Sequence, residues 1–551
     1  MSREIVNGKS IIHKPQQKGD VKQKVKHNFK KEASGLLSGT LSLTLSAIAV
    51  KFIGLVYKIP ISAILGDEGM GYFNSAYTVF AFFYLLCTAG VPKAIMLMIT
   101  ESDAKKSDFS KNRILSVAIK SFLAFGGICS LILLIFSGLI SYLIGSRGAL
   151  FTLMAISPAV VILSVSGVLR GYLSARMKLQ DISISSLIEG CGKLGFGLIF
   201  AGVGVRLGLP VQVLSSLAIL GVVAGSIFSF AYLFVIYKIE NKAENTGQSN
   251  KKGDFMIILK KILSVSLPIT IGAAVMNITS ILDLGIIMRS LKSIGYTESY
   301  STALYGNYTT LAVPMFNLAL TVISPLTVAF FPPLRNAFLT ENAERIKRIE
   351  TSLFELSSFL SAPMLLGLFV YSEEILSMLF KNSQTEEGSN LLRLLTPAIF
   401  FASLLGVVNT TLEASGKIKA PLISMAIGSF IKIPISVFLI TKTPLGIGGA
   451  AVSSVVCYAI ALMVSLIIYG MDFKKKAPIF ISSILPYLCA FISVMISKIA
   501  YGRLKILIQK VPALILSISI CALIYLAISL LCGIISRKKL TEIAKYTKFD
   551  E

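Results

Sequence analysis

Fourteen apolar segments, each near or above the ~20 residues needed to cross a bilayer, run almost end to end along this chain. They begin near residues 34, 72, 113, 149, 182, 212, 257, 302, 349, 390, 420, 447, 477 and 511. In hydrocarbon every backbone N–H and C=O must be satisfied inside the segment, so segments of this length span as helices. The expected fold class is therefore an all-α polytopic membrane protein with 14 transmembrane helices. Composition agrees: 15% of residues are charged, against about 25% in soluble domains. The polar stretches, at 1–33, about 238–260, 332–349 and 381–390, are too short to fold as a separate catalytic domain. No signal-peptide pattern opens the chain, and the first apolar segment is expected to serve as an uncleaved anchor.

The formal net charge is +25, but its distribution points to membrane topology and away from nucleic acid. Segments on the side of the N-terminus carry 36 Lys+Arg, and those on the other side carry 12. The positive-inside rule then places both termini in the cytoplasm. One loop dissents: Lys498, Arg503, Lys505 and Lys510 fall outside, between spans 13 and 14. The basic N-terminal tail is expected to lie on anionic lipid headgroups, or else to act as a partner-binding arm.

The cysteines all lie in apolar segments with no C-x-x-C pair, and read as small buried hydrophobes. Both histidines, His13 and His27, fall in the basic tail, so a histidine base or zinc site inside the membrane is excluded. No G-x-x-x-x-G-K-[ST] occurs, so the chain carries no P-loop ATPase of its own. No nucleophile–base constellation and no cofactor motif appears, and the chain is expected not to be an enzyme.

An internal repeat organises the spans. A shift of 239 residues places Lys178 on Lys417, Lys193 on Lys432 and Ser185 on Ser424. A shift of 233 places Tyr72 on Tyr305, Asn74 on Asn307 and Pro92 on Pro325. The expected domains are a tail (1–33), an N-lobe (34–240), a linker (241–256), a C-lobe (257–470), a two-helix appendix (471–536) and a C-terminal tail (537–551). Each lobe holds six spans in the same orientation, as in parallel-repeat transporters.

The sharpest chemical signal is the lysines inside spans. A lysine near the bilayer centre costs about 2.5–3.5 kcal/mol on insertion scales. Lys51 and Lys58 are seven residues apart, near two helical turns, so they share a helix face with Gly54 between them. Lys193 and Lys432 lie about 15 Å deep in spans 5 and 11 and are expected to face the lobe interface as a pseudo-symmetric pair. Alternatively, each is bonded within its own lobe. Lys93, just after Pro92, faces a cavity or snorkels to the nearby membrane surface. Among acids, Glu189 has i,i+4 spacing to Lys193 and is expected to neutralise it. Asp283, with Arg289 six residues on, is either a cation or proton site or half of an ion pair.

"KFIGLVYKIP", "GDEGMGYFNSAYTVF", "AGVPKAI" and "VLRGYLSARMKL" together resemble the polysaccharide-biosynthesis branch of the multidrug/oligosaccharidyl-lipid/polysaccharide exporter (MOP) superfamily. Within it the pattern is similar to MurJ-type lipid II flippases and the stage V sporulation protein B type, over about 34–536. This resemblance implies a MATE/MOP-like fold, a cationic central cavity that opens alternately to each side, and two final helices that form a groove for a polyprenyl tail. Lys51 stands where the family has an arginine on its first span. Tyr57 and Lys58 replace its Arg-Asp, and "LYGNYTTLAVPMF" lacks the arginine expected before its proline.

The function expected is translocation of a polyprenyl-diphosphate-linked saccharide across the bacterial plasma membrane. Lipid II is the expected substrate, Lys51, Lys58, Lys93, Lys193 and Lys432 its cationic cavity, and the membrane potential or a cation gradient its driving force. Cell-wall synthesis proteins are the expected partners. The rivals are a cation-coupled drug or metabolite antiporter, resting on Asp283 and Glu189, and a non-transporting envelope-synthesis scaffold.

Overall fold

The computed structural model describes residues 18–103, 109–244, 255–380, 384–470 and 473–534. The expected N-terminal and C-terminal tails and the linker after residue 240 fall largely outside them. The described residues form helices and no strands. In the first half these are α1 (Lys18–Thr88), α2 (Val91–Asp103), α3 (Lys111–Ile135), α4 (Ser137–Leu143), α5 (Leu150–Ala175), α6 (Leu179–Arg206) and α7 (Val211–Glu244). The second half follows as α8 (Phe255–Ser293), α9 (Glu298–Asn307), α10 (Val313–Leu339), α11 (Ala343–Val370), α12 (Ser372–Leu379), α13 (Thr385–Leu395), α14 (Pro397–Ala414), α15 (Ala420–Lys442) and α16 (Gly448–Tyr469). Helices α17 (Phe473–Leu507) and α18 (Lys510–Leu531) close the chain.

Thirteen helical runs among the described residues are long and apolar enough to cross a membrane. The first, Ile48–Ser102, is 55 residues long and doubles back on itself. Gly66 breaks α1 at φ +66°, a left-handed conformation that glycine adopts without a Cβ clash. The Tyr57 and Phe73 rings, on opposite arms, lie 6.0 Å apart, whereas sixteen residues of straight helix would separate them by about 24 Å. The glycine-rich "LGDEGMG" thus forms a turn, and the fourteen expected segments differ from the thirteen runs at this hairpin.

The two halves meet through α1, α2 and α3 on one side and α8, α9 and α10 on the other. The largest apolar cluster crosses that seam, with Tyr57 and Phe73 packed among the same buried residues as Leu284 and Leu304. Close backbone approach near Gly66 is set by two glycines. A Cβ on Gly71 would stand 2.1 Å from the Thr302 carbonyl oxygen, and one on Gly306 would stand 2.1 Å from that of Asp67. Polar contacts reinforce this end: the Arg147 backbone N–H donates to Glu298 (2.6 Å), and Lys292 donates to Gly145 O (2.6 Å) and Glu298 (2.8 Å). At the opposite end of the bundle, Lys261 of α8 pairs with Glu101 of α2 at 2.6 Å.

Helices α17 and α18 attach to the second half through α11 and α12. Ser361 and Tyr487 share a 2.6 Å hydrogen bond, and Tyr525 donates to Phe359 O at 2.8 Å. Lys498, one of the four dissenting basic residues, pairs with Glu374 of α12 and lies over the Tyr371 ring, 4.9 Å from its centroid. Its charge is therefore balanced locally, which removes part of the conflict with the positive-inside pattern.

Overpacking at a crossing this tight costs about 1–3 kcal/mol. Gly306→Val is accordingly expected to lower unfolding stability in detergent by that amount. Gly54→Ala, where a Cβ would meet nothing within 4 Å, is expected to be neutral or to stabilise by up to about 1 kcal/mol through helix propensity.

Candidate functional site

The sequence "GCGKLGFG" decides where Lys193 points. Its glycines let α6 lie directly on α7: a Cβ on Gly192 would be 2.7 Å from Gly225 Cα, and one on Gly221 would be 2.5 Å from Gly197 Cα. With that face committed, the Lys193 side chain reaches the hairpin of α1. Its Nζ lies 4.4 Å from the Tyr77 ring centroid, 5.4 Å from Tyr57 and 5.9 Å from Phe73. A cation over an aromatic face gains about 0.5–1 kcal/mol when exposed and about 2 when desolvated. Three rings thus hold this ammonium without a carboxylate.

Lys193 lines a cavity of about 410 Å³ in the first half, with Lys51, Gly54, Tyr57, Tyr77, Arg170 and Glu189 on its walls. Glu189 does not neutralise Lys193, despite the i,i+4 spacing. It accepts from Arg170 Nη2 at 2.8 Å, because the Lys193 chain turns to the rings and Arg170 enters from α5. Arg170 is a cavity residue that the sequence reading missed. It sits in the last turns of α5, which continues to Ala175.

A second cavity, about 340 Å³, lies in the other half. On its wall Lys432 donates to Asp283 Oδ2 at 2.6 Å. Lys193 and Lys432 therefore line separate cavities. Arg289 is not Asp283's partner: it donates to the Leu143 carbonyl at the C-terminus of α4, 3.0 Å away. Six residues of helix turn through about 600°, which puts the two side chains on different faces.

Lys58 joins the halves. Between α9 and α10 the chain takes one π-helical turn, Tyr308–Ala312, and the Val313 N–H bonds back to Tyr308 O. In that register the next carbonyl, Thr309 O, would look to residue 314 for its donor, and residue 314 is proline, which has none. Lys58 Nζ supplies the bond at 2.8 Å. Lys51 Nζ, two turns earlier, reaches Thr321 Oγ1 at 3.2 Å. Both lysines sit on the first arm of α1, and both acceptors lie in the second half. Of the lysines expected to line a cavity, Lys58 and Lys93 line neither of the two: Lys58 is engaged by Thr309, and Lys93 is exposed near the start of α2. Among the described residues, no group of three or more His, Cys, Asp or Glu is placed to hold a metal ion.

Comparison with known proteins gives this arrangement a context. The model of the family described as "Polysaccharide biosynthesis protein" matches residues 36–338, and the MatE model matches residues 309–438. Stage V sporulation protein B of Bacillus subtilis (strain 168) is 25% identical over 488 residues, which is 85% of this chain and 90% of that protein. Lipid II flippase MurJ of the same organism is 20% identical over 81% of this chain and 83% of that protein. Among solved structures, a lipid II flippase MurJ in an inward closed conformation aligns with TM-score 0.66 at 16% identity, over 88% of this chain and 97% of that one. An inward-facing multidrug resistance MATE family transporter aligns with TM-score 0.62 at 15% identity, over 78% of this chain and 96% of that one. These likenesses show the MATE/MOP-like fold of a multi-pass membrane protein.

The Arg170–Glu189 pair is partly buried, with 17% and 27% of the side chains exposed. Losing one partner is expected to cost about 2 kcal/mol, between the values for exposed and buried pairs. Arg170→Met and Glu189→Gln should each lower the melting temperature of the purified protein, and the double variant should recover most of the loss. Additive losses in this cycle would show that the two groups are not coupled.

Proposed function

The chain belongs to the polysaccharide biosynthesis protein family, and from that premise we propose that it flips a polyprenyl-diphosphate-linked saccharide, lipid II in the first instance. The observation that carries this reading is the charge of the first cavity, where Lys51, Arg170 and Lys193 face the single carboxylate of Glu189. Arg170 is engaged by that carboxylate. The charge left for a ligand is then on Lys51 and Lys193, with Lys58 next in sequence to the lining residue Tyr57. Lysine binds phosphate as a point charge, and an ammonium that faces a water-filled cavity avoids the full cost of sitting in lipid.

The same lysines couple binding to motion. Lys51 and Lys58 bond across the seam to Thr321 and Thr309. Diphosphate oxygens are stronger acceptors than a hydroxyl or a neutral carbonyl, because charge-assisted hydrogen bonds are roughly twice as strong. Capture of the diphosphate draws both ammoniums off the second half and loosens the seam. Residues 34–240 and 257–470 then rock as two lobes, with 471–536 as the appendix. By the positive-inside pattern the Gly66 end is extracellular and both termini are cytoplasmic. The headgroup enters from the cytoplasm and leaves at the Gly66 end, while the prenyl tail remains in the bilayer. Two negative charges moving outward release about 2.3 kcal/mol each per 100 mV, so the potential can drive the step without an ATPase. Residues 1–33 rest on anionic lipid, and cell-wall synthesis proteins receive the product.

The antiporter reading needs a carboxylate open to a cation. Glu189 is held by Arg170 and Asp283 by Lys432, so a protein-borne cation already occupies each. That observation favours the flippase.

In cells depleted of this protein and of redundant flippases, wild type is expected to restore outer-leaflet exposure of labelled lipid II. Lys51→Ala and Lys193→Ala should each reduce it at least about tenfold, the equivalent of one lost charge-assisted bond. Lys93→Ala should change it less than about twofold. Full rescue by both cavity variants, with normal protein levels, would favour the scaffold reading. No effect of depletion on lipid II exposure would mean that another lipid-linked saccharide is carried.

A further inference from the structure

The two cavities differ in charge. The first holds three cations and one carboxylate, whereas the charges on the wall of the second are the Asp283–Lys432 pair, 2.6 Å apart and internally neutral. A diphosphate has no reason to prefer the second. Its walls are also of another kind: the hydroxyls of Thr279, Ser280 and Tyr308, the amide of Asn317, and the rings of Phe316 and Tyr458. Those two rings lie 5.4 Å apart at an interplanar angle of 48°, which gives the cavity an aromatic corner. One acceptor stands unsatisfied there. Asp283 Oδ2 holds Lys432, but Oδ1 is buried with no hydrogen-bond partner. Buried carboxylate oxygens are normally bonded, so Oδ1 is an acceptor that lacks its donor. A free cation is a poor candidate for that donor, because Lys432 already balances the carboxylate.

An uncharged sugar matches this set of groups. One of its hydroxyls donates to Oδ1, others bond to the wall hydroxyls and the amide, and its apolar C–H face lies on an aromatic ring. The volume, about 340 Å³, falls within the roughly 300–1,000 Å³ range of small-molecule sites. The position is also right for a group covalently joined to a diphosphate in the first cavity. Tyr77 lines the first cavity and the next residue, Thr78, lines the second, so the two cavities adjoin at the second arm of α1. Lys58 bridges the same gap: its neighbour Tyr57 lines the first cavity, and its ammonium bonds to Thr309, which lines the second.

We infer that the second cavity is a saccharide subsite that recognises an uncharged sugar of the translocated lipid, with Asp283 Oδ1 as its central acceptor and Lys432 holding that carboxylate in place. This rests on the flippase reading and assigns Lys432 to positioning the carboxylate instead of binding phosphate.

The test compares binding of two lipids of equal prenyl length to the full-length protein in nanodiscs: a polyprenyl diphosphate and a polyprenyl diphosphate disaccharide. Wild type is expected to bind the disaccharide lipid at least about tenfold more tightly. The charge-neutral double variant Asp283→Asn/Lys432→Met should abolish that preference and leave polyprenyl diphosphate affinity within about twofold. Asn317→Leu, which leaves the ion pair intact, should reduce the preference and decides the case if the double variant does not fold. Equal affinity of wild type for the two lipids would overturn the subsite while leaving the flippase reading in place. Variants that weaken both lipids equally would return Lys432 to the phosphate site and overturn the inference, as would variants that keep the wild-type ratio. Failure of wild type to bind either lipid would remove the flippase reading and the subsite with it.

Discussion

The 2.8 Å bond from Lys58 to the Thr309 carbonyl expresses the constraint on which the rest of the structure depends. An ammonium placed inside an apolar bundle is costly unless protein groups or a cavity receive it. The chain provides an acceptor by opening its own backbone. A π turn ahead of Pro314 releases a carbonyl, and a lysine from the other half of the molecule fills it. The bond is therefore a tie between halves as well as a solution to desolvation. Lys51 and Thr321 repeat the arrangement two turns away with a hydroxyl acceptor. Each tie uses a neutral acceptor, and a neutral acceptor yields to an anion.

The remaining cations in the two cavities are held by two devices, and the device decides what each charge can do. Lys193 is surrounded by three aromatic rings, which stabilise an ammonium without cancelling its charge. Arg170 and Lys432 are each closed by a carboxylate, and such pairs order a wall more than they attract a ligand. The outcome is a positive first cavity and a neutral second one, adjoining at Tyr77 and Thr78 of α1. A diphosphate joined to a sugar has the same division of charge along its length. The glycines at the α6–α7 contact and at the Gly71/Gly306 crossing serve this arrangement indirectly, because backbones that touch leave the opposite faces free to carry the charges.

Much of the fold was legible because hydrocarbon thickness imposes a length on every span, and apolar runs of that length are hard to mistake. Lys193 and Lys432 were found because charge is rare inside spans. Their partners were not legible. The spacing of Glu189 to Lys193 is right for a helix pair, yet Arg170 takes the carboxylate, and the choice depends on where α5 meets α6. Asp283 finds Lys432, 149 residues away in sequence, and no local pattern encodes such a meeting. Arg170 was overlooked because a helix end and a loop look alike when "LRGYLSARMK" is read by polarity alone. The π turn had a trace in "TTLAVP", but a proline within a span has several outcomes, and the neighbouring helix selects among them.

The most direct test of the cationic-cavity account is transfer of a fluorescent polyprenyl-diphosphate disaccharide in proteoliposomes that contain only this protein, with an imposed membrane potential. The account predicts transfer well above protein-free liposomes, faster toward the positive face and slowed when the potential is reversed. Transfer at the protein-free rate under either polarity would contradict it.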